Sequence, residues 1–107
     1  DVESGVVGGP SAGLMYTLAI IESLTPGSLS HGRVVAGTGT IDADGNVGSI
    51  GAVRQKVVAA EAAGAEFMLV PEGNYEAALT APARDLELVP VATVEEALDF
   101  LSELESG

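Results

Sequence analysis

The residues of this chain best suited to chemistry are one serine in a glycine–proline setting and one lysine on an alanine–valine stretch. Ser11 lies in Gly8-Gly9-Pro10-Ser11-Ala12-Gly13, which runs straight into the apolar segment Leu14-Met15-Tyr16-Thr17-Leu18-Ala19-Ile20-Ile21. Gly8 and Gly9 free the backbone to approach a ligand or take up positive φ, and Pro10 sets φ for helix entry. Ser11 then falls in the first turn of a helix, among N–H groups with no intrahelical acceptor and at the positive end of the dipole. Donors arranged that way suit a nucleophile whose attack creates an oxyanion. They also suit a plain helix cap or a phosphate cradle.

A serine nucleophile needs a base, and the inventory is short. Lys56 is the only lysine and His31 the only histidine. His31 sits in a polar, glycine-flanked loop and reads as an ordinary exposed residue. Lys56 falls in a helix expected over 53–63, about 200° around the axis from Arg54, which shares a face with Val58 and Glu61. Its neighbours one turn away are Ala52, Val53, Ala59 and Ala60, none of them acidic. That is unusual in a chain with sixteen acidic and four basic side chains. An alanine–valine setting favours desolvation, which disfavours the ammonium form and lets a lysine act as general base near neutral pH. The bland alternative is a stem that covers the core edge while its ammonium stays in water. Ser–Lys pairs are an established form of nucleophilic catalysis, and the serine motif tips the choice toward the base.

Composition narrows the partners. The formal charge is −12, which leaves nucleic acid or anionic lipid without the cationic patch it needs. It also works against phosphate binding at the 8–13 loop, because the field of the whole chain opposes the loop's donors. Hydrophobic residues make up 47% and aromatic residues only 4%, so Val, Leu, Ile and Ala must build the core. The chain has no cysteine, hence no disulfide and no thiolate metal site. It opens at Asp1, without a secretory pattern or an apolar run of about 20 residues. The expectation is a fragment or processed domain whose anchor, if any, lies upstream.

These residues need a scaffold, and the chain in order supplies one. Residues 1–7 read as the end of a strand. Residues 11–24 read as a helix apolar nearly all round and therefore buried, stopped by Thr25-Pro26-Gly27-Ser28. Val34 to Ile41 reads as a strand whose glycines admit a close neighbour. Asp42-Ala43-Asp44-Gly45-Asn46 is a hairpin turn, and Val47 to Ile50 its returning arm. A calcium loop starting at Asp42 would need Gly and Glu where Val47 and Val53 stand, so the turn is preferred. A helix over 53–63 ends at Gly64. A buried strand from Glu66 to Val70, a helix from Asn74 to about Thr80 and a strand from Leu86 to Val91 follow. Thr93-Val94-Glu95-Glu96 is a capping box opening a last helix with Val94, Leu98 and Leu101 inward, and Leu104 or Glu105 at its frayed end. Asn74 reads as a helix cap, Tyr75 as a packing residue and the acidic tail as a solvated end. The alternation from residue 47 onward implies an α+β fold, a mixed sheet with crossover helices in a single domain over 1–107.

Taken together, "GGPSAG" at 8–13, "AGTGTI…GNVGSIGAVRQK" from 36 to 56, "GAEFMLVPEGN" from 64 to 74 and the closing "TVEEAL" resemble the proteolytic domain of the Lon family of serine proteases. The resemblance implies the ribosomal-protein-S5-domain-2-like fold, with Ser11 as nucleophile, Lys56 as general base and Thr38 holding Lys56 by hydrogen bonding. Gly9 and Pro10 belong to the motif that presents the serine. It implies peptide-bond hydrolysis of protein or peptide substrates without metal or cofactor. An amidase using the same dyad, or an inactive relative serving as a binding or assembly module, are the rival readings. Two positions depart from many Lon proteases, which carry an acidic residue where Gly8 stands and a glycine where Ala52 stands. "GGPSAGLMY" looks closer to a bacterial branch joining a membrane anchor and a PDZ domain to a Lon-type domain without an ATPase, and nothing in the chain resembles a Walker A loop. That branch implies an ATP-independent protease on the extracytoplasmic side of the cell membrane, with early strands and a PDZ domain upstream. Lon-type domains commonly assemble into homo-oligomeric rings.

Overall fold

The computed structural model describes residues 13–23 and 33–104. The expected strand over 1–7 and the serine motif at 8–12 lie outside the described residues, as do His31 and the end of the acidic tail. The elements in chain order are helix α1 (Gly13–Ser23), strands β1 (Val35–Gly37), β2 (Thr40–Ile41) and β3 (Val47–Gly48), and helix α2 (Val53–Ala62). Strand β4 (Phe67–Pro71), a 3-10 turn (Glu72–Asn74), helix α3 (Tyr75–Leu79), strand β5 (Glu87–Val91) and helix α4 (Val94–Glu103) complete them.

The fold is the mixed α+β arrangement expected. Strands β1, β4 and β5 form a parallel sheet with β4 in the middle, in register Val35 with Phe67 and Met68 with Leu88. Strands β2 and β3 form a separate antiparallel hairpin. The run Val34 to Ile41 is therefore two strands rather than one. It joins the parallel sheet with its first half and the hairpin with its second, and Val47 returns in the hairpin while its N–H donates to the Ala92 carbonyl at 2.8 Å. The break falls at Thr38-Gly39, where Gly39 takes φ +148°. That backbone turn ends one ladder and starts another.

Alternation along β4 explains why helices cover both faces. Met68 and Val70 point to one side and pack with Val53, Val57 and Ala60 of α2 and with Ala78 of α3. Leu69 points to the other and packs with Leu14 and Leu18 of α1 and with Ala97 and Leu101 of α4. Successive side chains of a strand face opposite ways, so a strand apolar at every position is buried from both sides.

One helix differs from expectation. Helix α1 is not buried all round, since Tyr16 and Ile20 are 47% and 60% exposed. Leu14 and Leu18 supply its packed side, and the described residues cover that side only. The helix expected from Asn74 to about Thr80 is present as Tyr75–Leu79, flanked by those two residues and led into by the 3-10 turn Glu72–Asn74. The other ends agree closely. Helix α2 stops at Ala62, and Gly64 beyond it takes φ +88°. The capping box is present, with Thr93 Oγ1 accepting the Glu96 N–H at 3.1 Å. The Glu96 carboxylate reaches back to the Ala92 N–H at 2.7 Å, one residue before the cap itself.

Candidate functional site

Thr38-Gly39 is the hinge point of the site. The Thr38 N–H donates to the Leu69 carbonyl at 3.0 Å, which extends the parallel ladder one step past β1. The Gly39 carbonyl accepts from the Leu14 N–H at 3.0 Å, so the first turn of α1 is bonded directly to the segment where the sheet ends. A Cβ on Gly39 would lie 2.7 Å from Val47 Cγ1, and φ +148° is strained for any other residue. Only glycine lets the chain pass between the hairpin and the helix there. Thr38 is buried, with 4% of its surface exposed. The helix start and the buried threonine are thereby joined through two adjacent peptide groups.

Lys56 arrives from the opposite direction. Helix α2 buries Val53, Val57 and Ala60 against the sheet, and this stripe puts Lys56 at the edge of the packed face, half-buried. Lys56, Thr38 and Gly37 line one open cleft of about 420 Å³, whose walls include Met15 of α1, Met68 of β4 and Ala59 of α2. Of the residues expected to do chemistry, Lys56 and Thr38 are thus brought to one place, although they lie on different elements. The lysine stands among apolar side chains, in the alanine setting read from its neighbours. Ser11, Gly9 and Pro10 lie outside the described residues; Ser11 stands two residues ahead of Gly13 in the chain.

Asp42 acts as the turn residue expected. One carboxylate oxygen accepts the N–H groups of Asp44 and Asn46, both at 2.9 Å, and the other accepts the Asn46 side-chain amide at 3.0 Å. The Asn46 backbone N–H is the main reason its carboxyl is held below the ordinary aspartate value, with the Asn46 side chain next. Both carboxylate oxygens are engaged inside the turn, and among the described residues no group of three His, Asp or Glu side chains is gathered to hold a metal ion.

Asn74 is the residue whose place the sequence did not reveal. It makes no side-chain cap bond to α3. Instead its Oδ1 accepts the Ile50 N–H at 2.8 Å and its Nδ2 donates to the Ile50 carbonyl at 3.1 Å. An asparagine before a helix looks the same in sequence whether it caps that helix or binds a distant loop. Gly73 beside it was the available hint of close approach, without naming the partner.

A short buried β4, a broken strand with a glycine hinge, and a cleft shared by a lysine and a threonine mark the site of this α+β domain. The profile of the Lon protease (S16) C-terminal proteolytic domain matches residues 3–103, and the chain belongs to that family. It is 36% identical over 94 residues to a Lon protease of Campylobacter concisus, covering 84% of this chain and 11% of that protein. A Lon protease of Xanthomonas oryzae pv. oryzae is 36% identical over 98 residues, covering 89% of this chain and 11% of its own. One of Metamycoplasma arthritidis is 32% identical over 98 residues, with 89% and 12% covered. The chain spans about a tenth of the length of these curated relatives.

Proposed function

We propose that this chain is the proteolytic part of a serine endopeptidase acting through a Ser11–Lys56 dyad on protein or peptide substrates. The observation that carries the proposal is the cleft shared by Lys56 and Thr38, beside a helix start that is bonded to Gly39. The family of the chain supports peptidase chemistry, and the relatives named above are proteases.

In this mechanism neutral Lys56 takes the hydroxyl proton of Ser11 as Oγ attacks the scissile carbonyl. The tetrahedral oxyanion accepts from backbone N–H groups at the start of the first helix, where one such donor contributes about 3 kcal/mol to the transition state. Collapse breaks the C–N bond, and the Lys56 ammonium returns the proton to the departing amine. Water, deprotonated by the same lysine, then cleaves the acyl-enzyme. Thr38 holds the lysine from the buried side of the cleft. The motif "GGPSAGLMY" further supports a place in the ATP-independent, PDZ-linked, membrane-anchored branch, acting outside the cytoplasm and assembled as a ring. Among the described residues no helix is long and apolar enough to cross a membrane, so an anchor would be carried elsewhere.

Labelling with a fluorophosphonate probe tests the dyad. Wild type should label at a rate that rises between pH 6 and 9, and both Ser11→Ala and Lys56→Met should lose labelling while their circular dichroism stays native. Labelling retained by either variant overturns the dyad.

A further inference from the structure

We propose that Asn74 is a positioning residue for Lys56, acting from outside helix α2 on the loop that starts it. The proposal rests on the role given to Lys56 above. Helix α2 has no side-chain N-cap, because Ala52 stands at that position and has nothing to offer. Ala52 also adopts φ 58°, ψ 35°, a left-handed conformation that disfavours a residue with a Cβ. A helix begun this way has neither a cap bond nor a relaxed backbone to define where its first turn sits.

The definition comes from Asn74. Its carboxamide takes both the N–H and the carbonyl of Ile50, at 2.8 and 3.1 Å, so this peptide position is held in two directions at once. The two segments are pressed together beside it. A Cβ on Gly73 would lie 2.5 Å from Ser49 Oγ, so the two segments run close together there, although the serine hydroxyl could turn aside. From Ile50 the chain has two steps to Ala52, whose carbonyl accepts the Lys56 N–H at 3.2 Å as a bond of the first helical turn. Asn74 therefore fixes Ile50, Ile50 limits where Ala52 can make its left-handed turn, and Ala52 sets the rotation at which Lys56 leaves the axis.

The packing of Val53, Val57 and Ala60 fixes which face of α2 meets the sheet, and leaves the finer rotation and axial shift within that face to the helix start. One residue of slippage in the start turns a helix by about 100°. Such a slip would turn Arg54, Val58 and Glu61, or Ala52, Lys56 and Ala59, onto the sheet, so packing excludes it and leaves only smaller shifts of the helix start open. Burial alone therefore predicts no dependence of the base on Asn74, whereas the hydrogen-bonded loop does.

The test compares Asn74→Ala and Asn74→Asp with wild type, Ser11→Ala and Lys56→Met in the full-length chain, by fluorophosphonate labelling well below each variant's melting temperature. Aspartate keeps an acceptor for the Ile50 N–H and sets a carboxylate oxygen against its carbonyl. Asn74→Ala should lower the maximal labelling rate ten-fold or more, with the half-saturating probe concentration within two-fold of wild type. The pH of half-maximal labelling should also move, and Asn74→Asp should fall between. Wild-type maximal rate and pH profile in a folded but less stable Asn74→Ala overturn the positioning role. If Asn74→Ala does not fold, the same readings on Asn74→Asp decide. Should Ser11→Ala or Lys56→Met keep labelling, the dyad fails and the positioning role with it. Should both go dark while Asn74→Ala behaves as wild type, the positioning role alone fails.

Discussion

The two faces of the parallel sheet are built on different principles. On one, α1 and α4 bring Leu14, Leu18 and Leu101 against Leu69, with Leu98, Phe100 and Leu104 packed around them. On the other, α2 and α3 bring mostly Val and Ala, and the open cleft with Lys56 lies at the edge of α2. Helix α4 carries its own start, through Thr93 and Glu96. It is also tied to the hairpin turn, because the Val94 N–H donates to the Gly45 carbonyl at 2.9 Å. Helix α2 borrows its start from Asn74. The first face adds a local cap to its distant bonds and is filled with bulk; the second relies on a distant bond at the start of α2 and leaves room. Small side chains are what allow a space beside a lysine to survive in a close-packed interior.

That difference can be broken from either side. Leu101→Ala removes a nearly fully buried side chain, 4% exposed, on the face away from Lys56. It should cost about 2–5 kcal/mol of stability, read from urea denaturation. Fluorophosphonate labelling per folded molecule should stay at the wild-type level. Ala59→Leu is the converse. Ala59 is exposed but lines the cleft, so added volume there goes into the space beside Lys56. Stability should change by less than about 0.5 kcal/mol, as for other surface substitutions, while labelling slows several-fold. If Leu101→Ala slows labelling as much as Ala59→Leu, the two faces are not separable and the contrast is wrong.

The same contrast explains what was legible in the sequence. The capping box at 93–96, the apolar stripe of α4, the turn at 42–46 and the end of α2 before Gly64 all follow from residues within a few positions of one another. Periodicity and caps report such local causes well. The split of Val34 to Ile41 was not legible, because each half is β-like and only tertiary pairing assigns them to different sheets. Neither was the role of Asn74, whose partner lies 24 residues away. The apolar content of α1 was legible, but hydrophobicity does not say which side a neighbour covers. At the candidate site, the alanine setting of Lys56 could be read from spacing. Its meeting with Thr38 followed from the family resemblance and not from spacing, since it depends on where α2 crosses the sheet.

Helix starts offer a smaller pair of tests. Thr93→Ala removes the acceptor for the Glu96 N–H and should cost about 1 kcal/mol, the usual effect of losing an N-cap. Ala52→Gly should act in the opposite sense. It relieves a left-handed alanine but adds freedom to the unfolded chain, for a net gain of about 0.5 kcal/mol. The melting temperature should fall in the first variant and rise by a few degrees in the second. A fall in both would mean that the Ala52 methyl contributes packing that outweighs its backbone strain.

The smallest effect expected is one of pH, and it again distinguishes a helix end held from outside. Glu61, near the C-terminus of α2, accepts the N–H groups of Arg84 at 2.7 Å and Asp85 at 2.9 Å. The Asp85 N–H and then the Arg84 N–H hold its carboxyl below the ordinary glutamate value. A group whose value is lower in the folded state stabilises it above the unfolded value and loses that contribution as pH falls through the folded one. For Glu61 the loss begins at about pH 4.5 and continues downward. Acidification also relieves repulsion in a chain of net charge −12, which works the other way. Comparison with Glu61→Gln separates the two, since glutamine still accepts from both N–H groups but does not titrate. The urea midpoint of wild type should fall more steeply than that of Glu61→Gln between pH 5 and 3. Identical slopes would mean that the loop at 84–85 gains nothing from the charge, and that α2 is held at its end by shape alone.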